Sequence, residues 1–491
     1  MGFTRDFMTP GSAATGAFSV ARAEAGWGRV RVPLRIGEDS FVGTIQAGAV
    51  QGARPSVAAR LDRLPIGSFH KGIMWMMAYI FFFELGDLNT FGFAAPAVRI
   101  AWKLPLSSIG FITSAAFIGM LVGANVGGWF SDRVGRKKAL VVTTLFYSVF
   151  SLLNACAWNT AGLFLTRLLT GVGISAMTVV GMTYVSEMFP VKRRGSYQGW
   201  IMMIGVCGIP ATAFVARLVI PAAVWGWRLV FVWGSLGMLI LLFSRRLEES
   251  PRWYENQGRF AEADAVLDRI EARTRAESGE LAPLTDFVPP AIQRAKYTEL
   301  FTPAVRGRTA LLVAVWFFEA LGFYGAQAWV PTLLVARGFS LVNSLTWTSA
   351  MQLGAPVGAM LAGVISDRWD RKWLVTVCVL IKAFCAVVYG LSNSQASIVV
   401  FGCLMMISFQ MFTPLLYAYT AECFPTHVRN SGAGISYGAG RGANSFGPLI
   451  VAALFSHYGY MPVFAYIAGM FVVVALIVAV FGPRTKGRVL S

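Results

Sequence analysis

Ser131-Asp132-Arg133-Val134-Gly135-Arg136-Lys137 returns as Ser366-Asp367-Arg368-Trp369-Asp370-Arg371-Lys372, and the two copies stand 235 residues apart. The same offset carries Glu84 and Pro96 onto Glu319 and Pro331, and Thr113, Gly119, Gly123 and Gly128 onto Thr348, Gly354, Gly358 and Gly363. It also carries Tyr184, Glu187, Pro190 and Arg194 onto Tyr419, Glu422, Pro425 and Arg429. The halves stay in register without insertion, so the chain reads as one three-dimensional unit used twice.

The unit is built for a bilayer. Hydrophobic residues make up 56% of the chain and charged residues 13%, about half the roughly 25% charged content of a soluble domain. Apolar stretches of about 20 residues, the length a helix needs to cross hydrocarbon, fall six to each half, the first near 72–97 and the last near 462–482. The net charge of +18 raises the possibility of a nucleic-acid partner. The basic residues, however, cluster in alternate loops: Arg133, Arg136, Lys137 and Lys138, then Lys192, Arg193 and Arg194, then Arg368, Arg371 and Lys372. That pattern follows the positive-inside rule, places these loops and both termini in the cytoplasm, and removes the need for nucleic acid. The expected fold is an all-α membrane protein, with twelve transmembrane helices in two pseudo-symmetric six-helix bundles. Its expected location is a plasma membrane or bacterial inner membrane.

Residues 1–70 show no sustained periodicity and lack the pattern of a cleaved signal peptide. They read as a mostly disordered cytoplasmic tail. Residues 71–246 and 307–482 are the two bundles, and 483–491 is a short cytoplasmic tail. Between the bundles, 247–306 is expected to be a cytoplasmic linker, in which Val266, Leu267 and Ile270 fall at the spacing of an amphipathic helix. The six cysteines form no CxxC pair and the three histidines are dispersed, so neither a metal site nor a disulfide framework is expected. A GxxxxGK[ST] loop and a nucleophile–base cluster are both missing. An enzyme and an ATP-driven pump are thereby disfavoured.

Gly127-Gly128-Trp129-Phe130 leads into the Ser131–Lys138 run, placing a glycine where two helices approach and a charged cluster at the cytoplasmic end of span 2. Such clusters pair with neighbouring helix ends in one conformation and release them in another. Here the chain resembles the major facilitator superfamily, and a weaker copy after span 8, as at Gly363–Lys372, also fits that family. Arg167-Leu168-Leu169-Thr170-Gly171-Val172-Gly173 in span 4, Tyr184–Gly195 after it, and Glu248-Glu249-Ser250-Pro251-Arg252-Trp253 after span 6 resemble its sugar-porter and metabolite-symporter branch. The resemblance runs over about residues 65–485. The sugar porters carry a paired-Gln motif in span 7, where this chain has Phe317-Phe318-Glu319-Ala320-Leu321-Gly322-Phe323-Tyr324-Gly325-Ala326-Gln327, and a hexose substrate is therefore disfavoured. Gly128, Asp132, Arg133, Arg136, Lys137, Asp367, Arg368 and Arg371, with Glu187, Arg194, Glu422 and Arg429 at the inner ends of spans 4 and 10, are assigned to gating on the cytoplasmic side.

The remaining signals are charges inside spans. A carboxylate in mid-bilayer costs at least ~2.5 kcal/mol on insertion scales unless it is protonated, paired or faces water. Glu84 and Asp87 lie three residues apart on one face of span 1, which reads as a proton site or a structural ion pair. In the sugar/proton symporters that this region resembles, an Asp on span 1 pairs with an Arg on span 4, and Asp87 with Arg167 matches that pattern. Glu319, the repeat mate of Glu84, is expected to line the cavity with Gln327 and Tyr324. Arg441 in span 11 and Lys382 in span 9 face Val206 and Tyr147 at the 235-residue offset. Arg441 reads as the anchor for an anionic substrate or as a partner of Glu319, and Lys382 as a snorkelling or structural residue.

The expectation is a proton-coupled symporter that takes up a small organic or aromatic carboxylate as a monomer, with the proton as coupling ion and no cofactor. Alternatives are a sugar/proton symporter, a facilitator, and a nutrient sensor on a transporter scaffold.

Overall fold

The structure, a computed structural model, describes residues 56–284, 297–366 and 369–485, and among these every regular element is helical. Span 1 is α2 (Ser68–Trp102), preceded by a short α1 (Val57–Asp62). Spans 2 to 4 are α3 (Leu106–Val134), α4 (Arg136–Cys156) and α5 (Thr160–Met188). Span 5 is broken at Cys207 into α6 (Val191–Val206) and α7 (Gly208–Val219); span 6 is α8 (Trp227–Ser235) continued as a 3-10 helix, Leu236–Arg246. The linker contributes α9 (Pro251–Asn256) and α10 (Phe260–Ser278). The second half holds α11 (Arg306–Gln327) with α12 (Val330–Ala336), then α13 (Leu341–Gln352) with α14 (Gly354–Ile365). It closes with α15 (Arg371–Leu391), α16 (Gln395–Cys423), α17 (Arg429–Tyr458) and α18 (Tyr460–Phe481).

Ten helical stretches among the described residues are long and apolar enough to cross a bilayer. Two more, α2 and α17, have spanning length at 35 and 30 residues, and they carry Glu84, Asp87 and Arg441. Helix boundaries follow local chemistry. Asn159, Ser250, Ser340 and Ser394 accept hydrogen bonds from backbone N–H groups of the first turns of α5, α9, α13 and α16. Gly135 turns the chain between α3 and α4 with φ of 101°, a conformation that disfavours any Cβ. Its repeat mate Asp370 instead has φ of −66° and caps α15 with its own side chain, accepting from Lys372 N at 2.9 Å. The repeat therefore makes the same turn by two different devices.

The tightest packing joins α3 and α5, where Gly119, Gly123 and Gly127 form a stripe along one helix face. A Cβ on Gly123 would overlap the carbonyl of Val172, and one on Gly127 would lie 2.5 Å from Ala176 Cα. Small residues of this kind let backbones meet in a membrane. Gly128, expected at the close approach, would reach only Val179 Cγ1 at 4.0 Å; the contact belongs to its neighbour, because one residue turns the helix by about 100°.

Among the described residues, three side-chain hydrogen bonds join the two halves. Gln327 donates to Asn89 at 3.0 Å, Ser349 to the Ala213 carbonyl at 2.8 Å, and Arg217 to Thr346. All three lie on the side of the bilayer opposite the basic loops, and there Gly92 sits against Ala328 and Gly110 against Pro448 and Ala452. The outer half is the closed side of the pathway. Removing one such bond costs about 1 kcal/mol, so Asn89→Ala is expected to shift a closed–open equilibrium by about fivefold. The check is the labelling rate of a cysteine introduced in the outer half; an unaltered rate would show that this bond does not hold the closure.

Most of the 1–70 tail is expected to lack structure, with 60–70 leading into the first span; residues 56–70 form α1 and the start of α2, and residues 1–55 lie outside the described residues. Val57, Ala59 and Leu61 are buried, and Val266, Leu267 and Ile270 of α10 belong to the same core cluster. Arg60 donates to Asp264 at 3.0 Å, Asp268 at 2.6 Å and Glu271 at 2.8 Å, and Arg63 reaches Glu271 at 2.7 Å. Burial would raise the pKa of the Glu271 carboxyl, but the hydrogen bonds from Arg60 and Arg63 outweigh it and hold it below the ordinary value. A depressed carboxyl stabilises the folded state above its unfolded pKa of about 4.3 and loses that contribution as pH falls through the folded value. Amide exchange in α10 is therefore expected to be slow at pH 7 and to accelerate below about pH 4, and Arg60→Ala to abolish most of that difference.

Candidate transport site

Glu84, one turn before Asp87 on α2, is 3% exposed. Its Oε1 accepts a hydrogen bond from Thr178 of α5 at 2.8 Å, while Oε2 is buried without a partner. Across the interface, the Arg441 guanidinium donates from Nε to the Tyr437 hydroxyl at 2.9 Å and again from Nη2, and its Nη1 is buried without a partner. Arg441 and Glu84 form no ion pair with each other.

Around Arg441 the second half supplies an aromatic wall. Trp316 sits 4.9 Å from Tyr417 and 5.2 Å from Tyr437 between ring centroids, and the two tyrosines are 5.4 Å apart. Trp316 is fixed by donating to Thr420 at 3.0 Å. Tyr417, in the last two turns of α16, is 45% exposed. Tyr324 completes the wall toward the first half, where its ring meets Phe117 at 4.6 Å. Trp316 and Tyr437 were not singled out from the sequence, since aromatic residues in spans are usually packing. The one available signal was Tyr437 lying four residues before Arg441, on the same helix face.

The other intramembrane charges are arranged differently from expectation. Glu319 binds Lys382, with Nζ to Oε1 at 2.9 Å and Lys382 wholly buried. The ammonium sits 3.7 Å from the Phe412 ring centroid and near Phe409 and Phe471. Glu319 is thus held by α15 inside its own bundle, and Arg441 does not pair with it. Nor does Asp87 pair with Arg167. The Asp87 carboxylate accepts from Ser151 of α4, with its second oxygen unpartnered, and Gly234 leaves room for it. Arg167 instead donates weakly to Thr90 at 3.4 Å and lies 5.8 Å from the Phe91 ring. The helix rotation that aims Asp87 at α4 turns it away from α5. Gln327 is committed to Asn89 in the outer closure.

Arg167, Asn89, Thr113, Phe117 and Tyr324 surround a void of about 10 Å³, room for about one water. A larger cleft of about 480 Å³ is lined by Trp75, Tyr79, Phe82, Phe83, Ile204 and Ile240, all apolar or aromatic.

At the cytoplasmic ends, the gating residues pair within each half. Arg136 donates to Asp132 at 2.6 Å, Ser131 at 3.2 Å and Glu187 at 3.0 Å. Glu249 of the loop after span 6 accepts from the Lys137 amide at 2.9 Å, and Trp253 donates to the Asp132 carbonyl at 2.8 Å. Two motifs far apart in sequence therefore form one cluster. Arg133 stacks on Trp129 at 4.3 Å. In the second half Arg371 pairs with Glu422; Asp367 and Arg368 lie outside the described residues. Of the other residues assigned to gating, Arg194 has an unpartnered Nε and Arg429 donates to Thr426 at 3.3 Å.

Twelve spans in two pseudo-symmetric bundles, with buried charges in both halves, define a transporter of the major facilitator superfamily, not an enzyme. The chain belongs to the sugar (and other) transporter family, whose model matches residues 69–491. It is 42% identical to the putative metabolite transport protein YyaJ of Bacillus subtilis (strain 168), over 88% of this chain and 96% of that protein. It is 29% identical to the niacin transporter NiaP of Acinetobacter baylyi, over 89% of this chain and 99% of that one. A structure of the xylose transporter XylE from E. coli in a partially occluded inward-open conformation matches with a TM-score of 0.69 at 18% identity, covering 86% of this chain and 100% of that one.

Proposed function

We propose that this transporter takes up a small aromatic carboxylate together with a proton, by alternating access, as a monomer in a bacterial inner membrane or equivalent plasma membrane. The observation that carries the reading is the unpartnered Nη1 of Arg441 standing among Trp316, Tyr417 and Tyr437. A guanidinium offers paired donors matched to a carboxylate, and aromatic edges and faces suit a planar ring. Niacin, named in one relative, is a pyridine carboxylate and fits this chemistry. A polyhydroxylated sugar would need several directed hydrogen-bonding side chains, and Gln327 donates its amide N–H to Asn89, keeping only its Oε1 unpartnered.

Proton coupling is assigned to the uncompensated acids of span 1, Glu84 and Asp87, with Arg167 set beside the closure and not as a direct partner of Asp87. Gating follows from clusters that stay inside each bundle, so that the halves move as rigid bodies about the site. Uptake by proteoliposomes of nicotinate, benzoate, xylose and tetraethylammonium, each with and without an acid exterior, tests the reading. Concentration of an aromatic carboxylate driven by the proton gradient is the expected result; uptake confined to xylose or to the cation would overturn it.

A further inference from the structure

The cleft of about 480 Å³ lies in the first half, between α2, α6 and the 3-10 end of span 6. It offers a carboxylate no donor, because its one hydroxyl, on Tyr79, donates to the Leu236 carbonyl at 3.0 Å. Trp233 packs on Phe82 and Phe83, at 6.4 and 5.2 Å between ring centroids, and closes the end nearer mid-bilayer. The other end runs toward the basic loops, where Trp75 is 61% exposed and Trp200, on the Ile204 face of α6, is 55% exposed.

Three cations stand on that inner side, each in register with a lining residue. Lys71 is one turn, about 6 Å, before Trp75 on α2. Arg193 precedes Ile204 on α6 by three turns, about 16 Å, and so returns to the same face. Arg246 follows Ile240 by two 3-10 turns, about 12 Å. Its guanidinium lies 5.3 Å from the ring of Phe243, which stands one turn between them. All three cations are exposed. Arg136 and Arg269 pair with Glu187 and Glu248, whereas none of these three has an acidic partner among the described residues. Glu277, which meets the start of α2, is held by Ser68 and Arg273.

We infer that the cleft holds one acyl chain of an anionic phospholipid from the cytoplasmic leaflet, with the lipid phosphate bound by Lys71, Arg193 and Arg246. An aromatic slot closed toward mid-bilayer takes a hydrocarbon tail, and basic clusters beside spans on the cytoplasmic side favour anionic headgroups. Trp75 and Trp200 stand between the two, at the level where amphipathic rings settle in a bilayer. The order in depth, apolar slot, then indole, then cation, is that of a phospholipid. All three walls belong to the first half, so the lipid rides on one bundle.

The test is native mass spectrometry of the full chain in detergent, mixed with dioleoyl phosphatidylglycerol or dioleoyl phosphatidylcholine. Wild type is expected to retain one phosphatidylglycerol at a concentration about tenfold below that needed for phosphatidylcholine, since each basic residue near a headgroup favours the anion. The triple variant Lys71→Gln, Arg193→Gln, Arg246→Gln is expected to lose that preference while keeping a weak affinity for both lipids. Ile204→Trp, which fills the slot, is expected to weaken both. Equal retention of the two lipids by wild type overturns the inference, even if a variant fails to fold. A preference unchanged in the triple variant assigns the anion to another basic loop and overturns it also. So does a two-copy species that forms in place of the lipid adduct. Uptake is not part of this measurement, so its outcome is independent of the carboxylate reading given above.

Discussion

Arg441→Gln is expected to weaken half-saturation for nicotinate by roughly 30-fold or more, corresponding to the 2–5 kcal/mol lost when one partner of a desolvated charge pair is removed. The amide keeps much of the bulk and one donor, so packing against Tyr437 is largely preserved while the charge and the fork are lost. Arg441→Lys should recover only part of the loss, because an ammonium is a point charge without the planar pair of donors. The measurement is the concentration dependence of uptake at fixed pH, with thermal unfolding in detergent as the control for folding. An unchanged half-saturation in Arg441→Gln would remove Arg441 from the site.

Lys382→Met is expected to destabilise the second bundle by about 3–5 kcal/mol, the effect of stranding a buried carboxylate. Glu319 is 7% exposed and, among the described residues, has no other cation in hydrogen-bond contact. The double variant Lys382→Met with Glu319→Gln should recover most of that loss, since the flexible Met fills the space among Phe409, Phe412 and Phe471 and no unpaired charge remains. Thermal unfolding of the three variants against wild type reads the cycle. If the double variant is as unstable as Lys382→Met, the pair is not the source of the stability. Retained nicotinate uptake in the double variant would further separate this structural pair from the transporting one.

The spans were readable from residues alone, and so was the presence of charges inside them. The partners of those charges were not. Asp87 and Arg167 have the right residue types on the right spans, yet Asp87 bonds Ser151 and Arg167 leans on Thr90 and Phe91. Glu319 was expected at the cavity, and Lys382 closes it off. Gly128 drew attention by its place in the motif, while its neighbour Gly127 makes the backbone contact. In each case a helix rotation of about 100° per residue separates the two outcomes, and hydropathy does not report it.

Duplication, twelve crossings and sidedness were determined by the sequence by itself, because the bilayer reads them locally: apolar length sets the crossings, and lysine and arginine in the loops set the orientation. The tertiary structure alone decided which buried charges meet. Contact between side chains depends on the rotation, tilt and close approach of helices whose glycine faces lock together, as α3 and α5 do at Gly123. That packing leaves Glu319 neutralised in its own half and Glu84 bonded to Thr178 with one oxygen unpartnered, a difference between two copies of one unit in which a tyrosine stands where the other has a lysine.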